Sequence, residues 1–404
     1  MKRNFGAAIL SLIALMMLAL PSITAQQPDV TQSSSARFHR KGALAIPNHY
    51  IVVLDRDAVG RGGDAAFNAG EVAQLMPDWA GTVTRRFDHA INGFAAYMTE
   101  QQALSLSEDS RVKFVEEDSV VEALVTQNNP PWGLDRIGQH DLPLNNSYSY
   151  TTTGAGVNVY IIDTGIRRTH TQFGGRAVIG FDAVGDGQNT NDCNGHGTHV
   201  SGTVGGSTFG VAKGVRLFAV RVLNCSGSGS TSGVIAGVDW VTAHRIRPAV
   251  ANMSLGGGAS AALDSAVRKS IASGVTYAIA AGNSNTNAAN SSPARVAEAI
   301  TVGATTMTDA RSSFSNFGSV VDIFAPGSSI LSAWRTSDTA TATLNGTSMA
   351  TPHVAGVAAR FLQSSATASP ATVRNEIVNV ATLNHLSGIP SGTANRLLFW
   401  SSAR

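Results

Sequence analysis

In the long C-terminal part of the chain, apolar residues fall in short unbroken runs. These are "VNVYIID" (Val157–Asp163), "RLFAVRVL" (Arg216–Leu223), "AVANMSL" (Ala249–Leu255), "VTYAIAA" (Val275–Ala281) and "AITVGA" (Ala299–Ala304). Between several of them the spacing changes to that of helices, as in "TSGVIAGVDWVTAH" (Thr231–His244) and "AALDSAVRKSIAS" (Ala261–Ser273). Continuous apolar strands alternating with helices predict an α/β fold, a parallel sheet covered on both faces. Ligand sites in such sheets lie beyond the carboxyl ends of the strands. The run Met349–Phe361, rich in Ala and Val, predicts a buried helix. Pro352 is expected in its first turn, where a missing N–H does no harm.

The N-terminal part reads differently. "HYIVVLD" (His49–Asp55) and "INGFAAYMT" (Ile91–Thr99) predict strands, "EQQALSLSED" (Glu100–Asp109) a helix, and "VKFVEED" (Val112–Asp118) a third strand. They predict a small α+β module over about residues 48–123. Gln26–Gly42 is polar and Ser-rich, as in a flexible leader. "TQNNPPWG" (Thr126–Gly133) reads as a linker.

Composition adds a destination. Lys2 and Arg3 precede an apolar run, Ala7–Leu20, followed by a break and small residues to Ala25. Residues 1–25 therefore predict a secretory signal peptide, the run being short for a membrane span. Secretion makes a disulfide the default for the two cysteines, Cys193 and Cys225. A metal site built from Cys193, His196 and His199 is the alternative. Between Gln26 and Leu124 there are 14 acidic and 9 basic residues; from Val125 to Arg404 there are 13 and 18. An acidic segment ahead of a basic one predicts two parts that attract. No basic cluster with interleaved aromatics points to nucleic acid.

Four residues carry candidate chemistry. Asp163 ends an apolar strand and precedes the turn signal "TG". His196 sits between glycines in "NGHGTHVSGTVGG" (Asn194–Gly206). Asn283 ends "AIAAGN" (Ala278–Asn283), just past a strand. Ser348 stands at the head of the Ala-rich helix in "NGTSMATPHVAG" (Asn345–Gly356). Three have a plain structural reading, a turn Asp, a turn Asn and an N-cap Ser, and His199, one turn on from His196 along the same face, reads as structural. Together the four supply an acid, a base, an oxyanion donor and a nucleophile.

These blocks, with "ANMSLGGG", resemble the signatures of the subtilase family of serine peptidases. "PPWGLDRI", "FGVAKGVRLFAVRVLNCSGSGSTSGVIAGVDWV" and "SSFSNFGSVVDIFAPG" resemble the proteinase K branch and its aqualysin-like secreted bacterial members. The match covers essentially all of Val125–Arg404, and the preceding module resembles the inhibitory propeptide of such enzymes. The resemblance implies a signal peptide (1–25), a propeptide (26–124) and a subtilisin-like catalytic domain (125–404). It implies a secreted, self-processing endopeptidase of broad specificity, with Asp163, His196 and Ser348 as the triad and Asn283 in the oxyanion hole. Ser254, Leu255, Gly256 and Gly257 would pair with substrate. Ala280, Ala281 and Gly282 would wall the pocket, and Gly227, Ser228 and Gly229 the opposite edge. It also implies a Cys193–Cys225 disulfide, no catalytic cofactor, and structural calcium. One calcium would be held by Asp322 with the carbonyls of Ala297 and Ala299. The other would be held by Asp135, Gln139, Asn145 and Ser147, with Gly138 where an acidic ligand is expected. The expected partners are protein and peptide substrates and the chain's own propeptide, with no nucleic acid, no membrane and a monomeric state. A subtilase fold that binds peptides without cleaving them is the alternative, and a zinc hydrolase using Cys193, His196 and His199 a third.

Overall fold

The computed structural model describes residues 37–42, 45–55, 81–119, 121 and 125–401. The expected signal peptide and the expected cleavage position at Leu124 lie outside them. The chain forms two compact units that part after Val121.

Among the described residues the smaller unit has five strands in the order Phe38–His39, Val112–Ser119, Ala45–Leu54, Gly93–Tyr97, Thr82–Phe87. A helix, Glu100–Glu108, starts at Thr99, whose hydroxyl accepts the Gln102 N–H while Gln102 bonds back to the Thr99 N–H. Two strands go beyond the sequence reading. Phe38–His39 lies inside the expected flexible leader, and is ordered because Phe38 is buried with Tyr50, Val52 and Val115. Thr82–Phe87 ("TVTRRF") shows mostly polar, exposed positions, so its pattern gave no strand signal.

In the larger unit nine strands form one sheet: Thr382–Leu383, Arg396–Leu397, Ile323–Pro326, Ile300–Thr305, Val275–Ala280, Ala249–Met253, Asn158–Asp163, Arg216–Arg221, Ala177–Asp182. All pairs are parallel except that of Thr382–Leu383 with Arg396–Leu397. The central strand shows why its sequence is apolar throughout. Val159 and Ile161 face one core, with Val200, Val204 and Val354, while Tyr160 and Ile162 face the other, with Val234, Val238 and Leu263. Each such fully buried aliphatic side chain contributes roughly 1.5–3 kcal/mol. The helix Thr231–His244 has the predicted bounds because Ser230 caps it, accepting the Gly233 N–H at 3.0 Å.

The expected place of Pro352 needs correction. The helix runs from Thr347 to Ser364, so Pro352 is its sixth residue, one turn deeper than its missing N–H suggested. Ser348 is the second helical residue, and the N-cap is Gly346.

Candidate active site

The strand Asn158–Asp163 delivers Asp163, with no exposure, to the carboxyl edge of the sheet. The next residues turn sharply at Gly165, whose φ of +106° suits glycine. That turn packs directly on the helix His196–Gly205. A Cβ on Gly197 would lie 2.1 Å from the Gly165 carbonyl oxygen, so only glycine lets His196 come this close. His196 Nδ1 lies 2.8 and 3.0 Å from the two Asp163 oxygens. Nδ1–H donates to the carboxylate, which leaves Nε2 free as a proton acceptor. Asp163 also accepts the Thr164 N–H at 2.7 Å, so the turn-capping and orienting roles coexist.

Asp192, which the sequence reading passed over, holds the two elements together. Its Oδ1 accepts from the Thr164 hydroxyl and from the N–H groups of Asn194 and Gly195, and its Oδ2 from the N–H and hydroxyl of Thr198. An Asp shortly before a helix start is the signal that could have found it. Burial disfavours the His196 imidazolium, but the charge and hydrogen bond of Asp163, with help from Asp192, outweigh it and hold the imidazole above its ordinary pKa. His199 is structural. It is buried, its Nε2 lies 3.0 Å from the Ile330 carbonyl, and burial lowers its pKa to about 4.

Ser348 occupies the positive end of its helix. Among the described residues its hydroxyl is not bonded to His196; it donates to the Ser254 carbonyl at 3.0 Å. Catalytic hydrogen bonds often align only when substrate is bound. Its backbone N–H has no partner among the described residues, and the same is true of Asn283 Nδ2. Asn283 Oδ1 accepts both the N–H and the hydroxyl of Thr347, each at 2.8 Å. Those bonds settle which end of the amide is oxygen, and leave Nδ2 as the free donor. Thr347 was likewise not legible in the sequence. An Asn283→Ala variant should lose roughly 10²–10³ in kcat with little change in KM, as for one lost oxyanion donor. Steady-state kinetics on a peptide substrate checks this; a raised KM at unchanged kcat would make Asn283 a substrate-binding residue.

The expected substrate residues line two adjoining cavities. One, about 440 Å³, lies beside His196 and Gly227–Gly229; the other, about 360 Å³, lies beside Ser348, Asn283 and Ala280–Gly282. Leu255, Gly256 and Gly257 belong to both walls, so the cavities form one groove edge, and Ser254 joins the wall nearest His196. Cys193 and Cys225 are joined by a disulfide, which ties the segment ahead of His196 to the start of the Gly227–Gly229 edge. With a sequence separation of 32 residues, it is worth roughly 3–4 kcal/mol in the chain-entropy model. The three zinc candidates are all committed elsewhere: Cys193 to Cys225, His196 to Asp163, His199 to backbone carbonyls.

The calcium expectations fit less well. Asp322 pairs through Oδ1 with Arg374 and accepts the Thr301 N–H through Oδ2 at 2.8 Å. Burial outweighs that N–H, Arg374 and Arg396 and holds its carboxyl above the usual carboxylate range. A guanidinium thus supplies the countercharge beside the turn that contains Ala297 and Ala299. In the second set, Asp135 accepts the N–H groups of Asn145 and Asn146, Gln139 Oε1 that of Asn145, and Asn145 Oδ1 that of Ser147. Asp135 is the one charged residue of that set. Among the described residues the side-chain oxygens of Asp322, Asp135, Gln139 and Asn145 thus have protein donors. Asp322→Asn keeps an oxygen for the Thr301 N–H and loses only the ion pair with the part-exposed Arg374, so it should cost less than about 1 kcal/mol, equally in calcium and in chelator. Thermal unfolding measures it, and a loss confined to calcium would return an ion to Asp322.

A carboxylate-oriented imidazole and a helix-start serine on one groove, with two free N–H donors, define a serine hydrolase. Residues 154–396 match the subtilase family and residues 49–124 the peptidase inhibitor I9 family. The alkaline serine exoprotease A of Vibrio alginolyticus is 52% identical over 88% of this chain and 68% of its own length. The extracellular serine proteinase of Thermus sp. strain Rt41A is 48% identical over 95% and 97%. The crystal structure of a cold adapted subtilisin-like serine proteinase is 56% identical, with a TM-score of 0.66, over 67% of this chain and 98% of that one. The chain belongs to the subtilase family of serine peptidases, preceded by an I9-type inhibitor segment.

Proposed function

We propose that the chain is an exported endopeptidase of broad specificity, released from its own inhibitor by self-cleavage near Leu124. The single observation that carries the proteolytic reading is the Asp163–His196 pair, bonded at 2.8 Å through Nδ1. His196 Nε2 takes the Ser348 hydroxyl proton as Oγ attacks the scissile carbonyl carbon. Asn283 Nδ2 and the Ser348 N–H receive the oxyanion. The imidazolium returns its proton to the leaving amine, and water then hydrolyses the acyl-enzyme by the same exchange. Among the described residues no charged side chain lines the cavity beside Ser348, which supports a preference for apolar or aromatic side chains.

Export is supported by the charged start and apolar run of residues 1–25 and by the "extracellular" and "exoprotease" names of relatives. Inhibition by the N-terminal segment is supported by its I9 match and by its net charge, opposite in sign to that of residues 125–404. No observation favours a non-cleaving peptide binder. The test is casein hydrolysis by Val125–Arg404 with and without added Gln26–Leu124. Hydrolysis that a serine-directed sulfonyl fluoride abolishes and the added segment inhibits is expected. Activity indifferent to the segment would remove the inhibitor reading, and absence of hydrolysis the peptidase reading.

A further inference from the structure

Pro352 leaves a mark on Ser348. In an α-helix the carbonyl of residue i accepts the N–H of residue i+4. Pro352 stands four residues after Ser348 and has no N–H. The carbonyl of Ser348 thus loses its helical partner on the side of the helix that packs on the sheet. A backbone acceptor left unpaired in such a place is costly.

The vacancy is filled from a distant part of the chain. The Ser254 hydroxyl donates to the Ser348 carbonyl at 2.8 Å. Ser254 is the first residue past the strand Ala249–Met253, and is itself buried. Its oxygen in turn accepts from Asn252 Nδ2 at 3.0 Å. Asn252 lies in the strand and Ser254 just beyond it, and the bond between them brings their side chains to one side. Asn252 is fully buried in a central strand, where an asparagine is expensive, and its Oδ1 has no partner among the described residues. The one bond of its side chain among those residues is the one to Ser254.

We propose that Asn252 and the Ser254 hydroxyl are positioning residues, a buried relay that fixes the nucleophile through its own backbone carbonyl. The peptide before Thr347 is held by Asn283 Oδ1, and the peptide after Ser348 by Ser254 Oγ. Ser348 thus has the plane that follows it fixed directly and the plane one residue further back fixed by Asn283, so the direction of its Cα–Cβ bond is set chiefly from the carbonyl side. Pro352 is what frees the carbonyl for this use. A displacement of about 1 Å at a reacting group costs on the order of 10²-fold, which is the scale a lost anchor puts at stake.

The inference rests on Ser348 being the nucleophile, and the experiment separates the two. Ser254→Ala should lower kcat, and the rate of Ser348 inactivation by a sulfonyl fluoride, about 10- to 100-fold. KM should stay within about threefold, because the Ser254 carbonyl is untouched. Ser254→Thr, which keeps the hydroxyl, should restore both rates to within about threefold. Pro352→Ala returns an N–H to the Ser348 carbonyl. In that background the penalty of Ser254→Ala should shrink to less than about threefold, the coupling expected of two donors to one acceptor. Should Ser254→Ala not fold, Asn252→Ser reads the same relay one bond upstream, with a kcat loss of about three- to tenfold at unchanged KM. An equal penalty with and without Pro352, or a lowered Tm at unchanged kcat, would overturn the relay. Failure of the reagent to label Ser348 in the unaltered enzyme would overturn the nucleophile assignment instead.

Discussion

Replacing Ser348 by Ala is expected to lower turnover by on the order of 10⁶, the scale known for the same loss in subtilisin, while the fold is kept. The fold survives because the side chain makes a single hydrogen bond among the described residues, to the Ser254 carbonyl, and fills no core. The helix start is held by other groups: Asn283 on Thr347, the Thr351 hydroxyl on the Thr347 carbonyl, and Ser254 on the Ser348 carbonyl. Catalysis collapses because the oxygen that attacks the scissile carbonyl is gone, and a methyl group offers His196 no proton to take. The variant should also accumulate as an uncut precursor, since the cut near Leu124 is proposed to be its own. Turnover within tenfold of the unaltered enzyme, or normal maturation, would refute the assignment.

Asp163→Asn carries the second large effect, a fall of about 10⁴ in kcat. An amide at this buried position presents its NH₂ to His196 Nδ1, so the imidazole proton moves to Nε2 and the base is lost. The pH dependence gives an independent reading. A base must be neutral to act, so kcat/KM rises with pH through the pKa of free His196. Burial alone would place that pKa below the ordinary 6.5; the charge and hydrogen bond of Asp163 lift it above. The acid limb of the native enzyme should therefore lie above pH 6.5, and the limb of the activity left in Asp163→Asn at lower pH. A limb that stays in place, or moves upward, would mean that Asp163 does not set the charge state of His196.

The elements that could be read from the chain are those whose cause is local. The strand that ends in Asp163 is an unbroken apolar run stopped by a turn signal, and the helix Thr231–His244 begins at a serine cap. The four candidate residues were legible because each closes or opens such an element. What was not legible depends on partners far along the chain. Phe38–His39 is a strand because Val115 and Glu116 pair with it. Pro352 sits a turn deeper than its own chemistry suggests because Ser254, 94 residues before Ser348, takes the orphaned carbonyl. Thr347 matters through Asn283, and Asp322 is engaged by Arg374, 52 residues on. Spacing in sequence carries no trace of such pairings.

The central claim, that Ser348 is the nucleophile oriented by His196 and Asp163, is tested most directly by mapping a covalent adduct. The active enzyme is titrated with a peptidyl organophosphonate, and each sample is divided between a rate assay and mass spectrometry of its peptides. One adduct per molecule is expected, on Ser348, rising in proportion to the activity lost and absent from Asp163→Asn over the same interval. Complete inactivation with the adduct on another residue, or full labelling of Ser348 with activity intact, would contradict it.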